Sequence, residues 1–69
     1  MSTGFADFTD LSTGAIVHVN PNAVRAVSPT PDAYTMIQFD ATHHIFVDGK
    51  VWEVMKKLRE AAAIDATRT

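Results

Sequence analysis

Three histidines are the first residues of this sequence to suggest a chemical site, because histidine binds metals and titrates near neutral pH. They are His18, His43 and His44. Neighbouring residues in a strand face opposite sides of a sheet, so His43 and His44 do not easily share one metal ion. A typical zinc site needs three or four ligands, and the chain has no cysteine. We expect surface histidines and no metal or other cofactor. The open alternative is a ligand-binding or metal-assisted subunit that uses the histidines.

Side chains that carry catalysis elsewhere are present here but are scattered. General acid–base chemistry needs carboxylates gathered in a pocket, and the five aspartates of the first 50 residues fall in predicted turns and strand ends instead. No serine or threonine stands in a motif that supplies a base, and the glycines are too widely spaced for a phosphate-binding loop. The sequence therefore predicts no catalytic residue and a protein that is not an enzyme.

A group of basic residues near the C-terminus suggests a second kind of site. Lys50, Lys56, Lys57 and Arg59 lie in or beside a predicted helix, and Arg25 is the further basic residue of this candidate patch. The simpler interpretation is the solvated face of an amphipathic helix. The alternative is a regulator that binds nucleic acid. The formal net charge of −2 disfavours nucleic acid as a partner, because such proteins show a strong basic footprint.

The aromatic residues suggest a contact between proteins. The chain has four Phe, one Tyr and one Trp, and one helix cannot cover both faces of a sheet. We predict an interface that includes Phe5, Phe8, Phe46 and Trp52, since tryptophan is enriched at interface hot spots. Trp52 has the alternative role of covering the edge of the core. A chain of 69 residues without disulfides often gains stability by self-association, so we expect a homo-oligomer.

Two predicted hairpins position most of these residues. The first joins a strand at Phe5–Leu11 to one at Ala15–Val19 through the turn at residues 12–14, where Gly14 accepts a positive φ. The second joins Tyr34–Phe39 to His43–Val47. In the second hairpin, Ile45 and Val47 should face one side of the sheet, and His44 and Phe46 the other.

A short helical turn running into a short strand is predicted at Ala23–Val27, followed by a proline-rich turn at residues 29–32. After the second hairpin, apolar residues recur at helical spacing from Val51 to Ala63, and Asp48 is the predicted N-cap. The predicted core stripe of this helix is Val51, Met55, Leu58 and Ala62, with Val54 and Ala61 beside it.

These elements predict an α+β fold: a small antiparallel β-sheet of two hairpins, with four to five strands, followed by one C-terminal helix. The chain is expected to form a single domain over residues 1–69, with flexible ends at residues 1–4 and 65–69. No apolar run approaches the roughly 20 residues of a membrane span, and the first residues lack the pattern of a signal peptide. We therefore expect a cytoplasmic protein without membrane insertion.

Short motifs along the chain support a family resemblance. Phe8-Thr9-Asp10-Leu11, then the run from Val17 to Val24 with its Asn20-Pro21-Asn22 step, and then Thr30-Pro31-Asp32 resemble the small FlbD-type flagellar proteins, also called swarming-motility proteins. The likeness covers about residues 8–58. It implies a non-enzymatic accessory role in flagellar or motility function and assigns no catalytic residues. The order of strands and final helix is also similar to half of a LytTR-type DNA-binding domain.

The leading hypothesis is thus a small interaction or regulatory module that acts through self-association and through contact with an unidentified protein partner. The alternative is a nucleic-acid-binding transcriptional regulator that uses the basic helix.

Overall fold

Five short strands and one long helix make up the fold in this computed structural model, which describes residues 4–67. The strands are β1 (Ala6–Thr9), β2 (Ile16–Val19), β3 (Ala26–Pro29), β4 (Thr35–Gln38) and β5 (His44–Val47). A single 3₁₀ turn at Pro21–Ala23 precedes β3, and helix α1 spans Val51–Thr67. The α+β fold with antiparallel sheets and a C-terminal helix is confirmed, with the larger of the predicted numbers of strands.

Two antiparallel sheets, one of two strands and one of three, form the β-structure in place of the single predicted sheet. β1 pairs with β2, as predicted for the first hairpin, and β4 pairs with both β3 and β5. An isolated bridge between Asp10 and Val47 links the two sheets, where the Leu11 N–H donates to the Phe46 carbonyl over 2.8 Å. The strands therefore run in the order β2-β1-β5-β4-β3, with β2 and β3 at the outer edges.

Alternation along the strands sends one face of this β-structure to the core. Ile45 and Val47 are buried while His44 and Phe46 are not, which confirms the predicted faces of β5. The core consists of Ala6, Phe8, Val19, Ile37, Ile45 and Val47 from the strands and Val54, Leu58 and Ala61 from the helix. We call the opposite face of the β-structure, which α1 does not cover, the far face.

Helix α1 packs on the sheet along a stripe slightly rotated from the predicted one. Val54, Leu58 and Ala61 are its buried residues, whereas Val51 and Met55 are only half-buried. At 100° per residue these five positions lie on one side of the helix. Val54 and Leu58 lie at the centre of the side that contacts the sheet. Three of the four residues of the predicted stripe, Val51, Met55 and Ala62, therefore lie at the edge of the contact with the sheet.

The start of the helix differs from the prediction that Asp48 is the N-cap. Lys50 precedes the first helical residue; its N–H donates to Glu53 Oε1 over 2.8 Å, and its carbonyl accepts from Glu53 and Val54. Asp48 instead accepts a bond from Gly49 N–H. Gly49 has a φ of +100°, which inserts a left-handed residue between Asp48 and the helix and moves the cap to Lys50.

The structure differs from the prediction at one turn and at the end of the helix. Pro29 belongs to β3 rather than to the turn, paired with Thr35, and proline is tolerated there because β3 is an edge strand. Helix α1 continues to Thr67 instead of ending at Ala63. Of the ends predicted to be flexible, residues 1–3 and 68–69 lie outside the described residues.

Candidate interaction surfaces

His18 and Asp7 face each other across the β1–β2 ladder. Their Nδ1 and Oδ1 atoms lie 2.6 Å apart, and both side chains are about two-thirds exposed. A carboxylate orients an imidazole in this way in nucleophilic triads. Within the described part of the chain, however, no hydroxyl group bonds to His18. A pair this exposed contributes about 1 kcal/mol or less to stability.

The other two histidines contact aromatic rings on opposite faces. His43 lies with its ring centroid 5.0 Å from that of Phe39, and His44 packs edge-on to Phe46 at 5.3 Å. Among residues 4–67, no group of three His, Cys, Asp or Glu side chains is placed to hold a metal ion. The three histidine side chains therefore each contact a different neighbour.

The four predicted interface residues do not form one surface. Phe8 is a core residue, only 6% exposed, with Lys57 Nζ 4.5 Å from its ring centroid; its place on β1 turns it toward α1. Phe5 is 46% exposed beside the helix, Phe46 is half-buried on the far face, and Trp52 is 64% exposed on the outside of α1. Phe8 is thus removed from the predicted interface, and the other three lie in separate places.

Phe46 belongs to an apolar depression on the far face. Its ring packs edge-on against Tyr34 with centroids 6.1 Å apart, and Met36 lies opposite it in the β4–β5 register. The depression has a volume of about 740 Å³. We define the far-face patch as Leu11, Pro29, Pro31, Tyr34, Met36 and Phe46.

Sequence reasoning missed the role of Leu11 in this patch. Leu11 is 43% exposed, although it is a large apolar residue directly after a strand. The alternation of the strand could have revealed this position of Leu11. Ala6 and Phe8 face the core, so alternation through Asp10 turns Leu11 to the far face. Ile16, the most exposed large apolar residue described, does not line this patch; it borders a separate depression with Val54 and Lys57 of α1.

A second apolar depression lies between α1 and the segment that leads into β3. Its volume is about 290 Å³. We define the α1–β3 groove as Val24, Arg25, Val27, Met55, Arg59 and Ala62. Arg25 and Arg59, both members of the predicted basic patch, line the groove from its two walls.

The remaining residues of the basic patch lie elsewhere. Lys57 is on the opposite side of α1, where its Nζ donates to the Asp7 carbonyl and lies over the Phe8 ring. Glu53, one helical turn before Lys57, accepts a bond from the Lys50 N–H instead of pairing with that lysine. Lys50 precedes the helix and Lys56 is exposed on it. The five basic residues therefore do not form one continuous surface.

Comparison with known protein families, curated proteins and solved structures found no significant match. Helix α1, the one helix in the described part of the chain, is too short and too polar to cross a membrane.

Proposed function

We propose that this chain is a small interaction module without catalytic activity, and that two copies pair through the far-face patch. The observation that carries the proposal is the uncovered apolar face itself. Leu11, Tyr34, Met36 and Phe46 lie on the side of the β-structure that α1 does not reach. Contiguous apolar surface on a small domain commonly marks a contact with another protein.

A second copy of the chain suits this surface for two reasons. The patch is mostly uncharged: Asp32 and the Tyr34 phenol are the ionisable groups among the residues that line it, and His44 lies beside Phe46. A two-fold contact uses the same patch on both copies, and an uncharged patch meets itself without repulsion. A domain of this size without disulfides also gains most from burying more apolar surface.

The area that such a dimer requires is compatible with the molecule. A standard interface buries about 800 Å² on each partner. The chain exposes 4736 Å², so the contact would take roughly a sixth of its surface, comparable to one side of the β-structure. Burying apolar area at about 25 cal/mol per Å² is enough to stabilise a marginal fold.

The resemblance to FlbD-type proteins supports an accessory role in motility as the biological setting of this module, and a cytoplasmic location is part of the same proposal. Nucleic-acid binding receives less support. The basic residues lie on different sides of α1, so a single strand of phosphates would not meet them together.

The test is the molar mass of the intact chain in solution, measured by light scattering or analytical ultracentrifugation over a range of concentrations. We expect a mass of twice 7.5 kDa at micromolar concentration. Leu11→Lys and Met36→Lys each place a charge in the patch and should shift the equilibrium to the monomer.

Ile16→Lys is the matched control, because Ile16 is exposed and apolar but does not line the patch. It should leave the dimer intact. A monomeric mass at every concentration would disprove self-association, and equal dissociation by Ile16→Lys would place the contact at the β2 edge instead.

A further inference from the structure

We infer that the α1–β3 groove binds an acidic amphipathic helix from a partner protein, with apolar side chains on the groove floor and carboxylates against Arg25 and Arg59. This surface is distinct from the far-face patch, so the inference does not depend on the proposed dimer.

The floor of the groove is aliphatic. Val24 and Val27 line it from the segment around β3, and Met55 and Ala62 line it from α1; all four are half-buried. Val24 and Val27 pack against the core without being enclosed by it. A space of about 290 Å³ with such walls accommodates a few aliphatic side chains rather than an extended polar ligand.

The charges at the groove favour an acidic occupant. Arg25 and Arg59 approach it from different elements, and both are exposed. Among residues 4–63, the only ion pair is the one between Asp7 and His18. Neither arginine is therefore paired with a carboxylate from this range. Guanidinium groups bind carboxylates in a two-pronged geometry and tolerate partial burial better than ammonium groups do.

Trp52 does not line the groove but lies next to it, on the exposed side of α1 toward the start of the helix. It stands three residues before Met55 and seven before Arg59, which places all three on one side of α1. Its side chain is 64% exposed, a large exposure for the residue type most enriched at binding hot spots. An apolar occupant that follows α1 for two turns would therefore cover Met55 first and Trp52 next.

The edge of β3 favours a helix over an extended strand as the occupant. The register of β3 and β4 directs the amides of Ala26 and Ser28 toward β4, which leaves Val27 as the strand residue whose amide faces outward. Pro29 has no amide to offer. A peptide strand would gain little backbone pairing here, whereas a helix binds through the side chains that the groove presents.

The first test uses three synthetic peptides of about 16 residues, long enough for roughly four helical turns. They share one leucine stripe at positions i, i+3, i+4 and i+7 and carry glutamate, glutamine or lysine beside it. Each is titrated into the isotope-labelled full chain and followed by two-dimensional NMR. We expect the glutamate peptide to shift amides of Val24–Val27 and Met55–Ala62, the glutamine peptide to bind more weakly, and the lysine peptide not to bind.

Variants then test the residues. Replacing Arg25 and Arg59 together by glutamine should weaken binding of the glutamate peptide about twofold to thirtyfold, the range for two exposed ion pairs. Trp52→Ala should weaken it by about tenfold or more, as a hot-spot residue does. Lys50→Gln removes the same charge outside the groove and should leave the affinity unchanged.

Several results would overturn the inference. One is equal binding of the glutamate and glutamine peptides. Another is an effect of Lys50→Gln on affinity as large as that of the arginine variant. A third is amide shifts confined to other surfaces of the chain. The absence of any shift at millimolar peptide would do the same. A single-stranded oligonucleotide that shifts the same amides at physiological salt, more tightly than the acidic peptide, would make nucleic acid the occupant. None of these results depends on whether Leu11→Lys dissociates the proposed dimer, so each proposal is tested independently of the other.

Discussion

The Thr35 hydroxyl donates a 2.8 Å hydrogen bond to the carbonyl of Gly49 and thereby ties β4 to the residues that lead into α1. Thr35 is only 1% exposed and is the single buried polar residue in the described part of the chain. Its hydroxyl is satisfied by a carbonyl that lies before the first turn of the helix. The bond therefore fixes where α1 begins relative to the sheet, and so where both walls of the α1–β3 groove stand.

We predict that Thr35→Val lowers the free energy of unfolding by about 1–3 kcal/mol, although valine has nearly the same shape. The substitution removes the donor and leaves the Gly49 carbonyl without its partner. Chemical denaturation of both proteins measures the loss. Thr9→Val is the control, because Thr9 is an exposed strand residue; a loss there as large as at Thr35 would contradict the role assigned to the bond.

Ala33 is the described residue other than glycine that has a positive φ, at 67°. It follows Pro31 and Asp32 in the turn from β3 to β4. An L-residue with a Cβ in this region costs about 1–2 kcal/mol, whereas glycine does not incur this steric cost but loses more backbone entropy on folding.

We predict that Ala33→Gly raises the free energy of unfolding by up to about 1 kcal/mol, the balance of those two effects. The midpoint of thermal unfolding should rise. Ala41→Gly is the matched control in the loop before β5, where Ala41 has no positive φ; it should lower the midpoint. A fall for both variants would show that the strain at Ala33 is not released by glycine.

Much of the fold could be predicted because local patterns determine it. The β-branched run around Val17 and the alternation from His44 to Val47 identify strands and their faces without knowledge of the rest of the chain. The position of the helix cap could not be predicted in the same way. Asp48 has a good capping side chain, but the left-handed Gly49 separates it from the helix, and the sequence does not show which glycines adopt that conformation.

The candidate surfaces were harder to predict, for reasons that differ between residues. Alternation in an extended strand would send Phe5 and Phe8, three positions apart, to opposite sides. Phe5 instead precedes β1 and lies beside α1, a placement that the local pattern does not predict. Lys57 and Arg59 are two positions apart on α1, so about 200° of rotation separates them. The approach of Arg25 to Arg59 depends on packing across the molecule, which no local pattern reveals.

We predict that Leu58→Ala lowers the free energy of unfolding by about 2–5 kcal/mol, because it opens a cavity where the helix meets the core. Leu58 is 6% exposed and lies between Val54 and Ala61 on the buried stripe. Urea titration measures the change. Lys56→Ala, at an exposed position of the same helix, should change stability by no more than about 0.5 kcal/mol. Similar losses for the two would mean that α1 docks by another side.

The turn between β4 and β5 holds a carboxylate whose ionised form is favoured by local hydrogen bonds. The Asp40 Oδ1 atom accepts bonds from the Thr42 N–H over 2.8 Å and from the Thr42 hydroxyl over 3.2 Å. Chiefly through the first of these bonds, the pKa of Asp40 is lowered from its ordinary value. The turn sets the connection between the strands that carry Met36 and Phe46.

We predict that Asp40 stabilises the fold at neutral pH and ceases to do so in acid. A carboxyl with a lower pKa in the folded than in the unfolded chain contributes stability above its unfolded pKa, about 3.9, and loses it as pH falls through the folded value. Asp40→Asn keeps an acceptor and removes the charge, so its melting temperature should lie below that of the wild type at pH 7 and approach it in acid. NMR titration of the Asp40 carboxyl measures its pKa directly. Thr42→Val, which lacks the hydroxyl donor, should raise this pKa. A pKa of Asp40 in the wild type at or above the ordinary value for aspartate would show that these bonds do not favour the charged form.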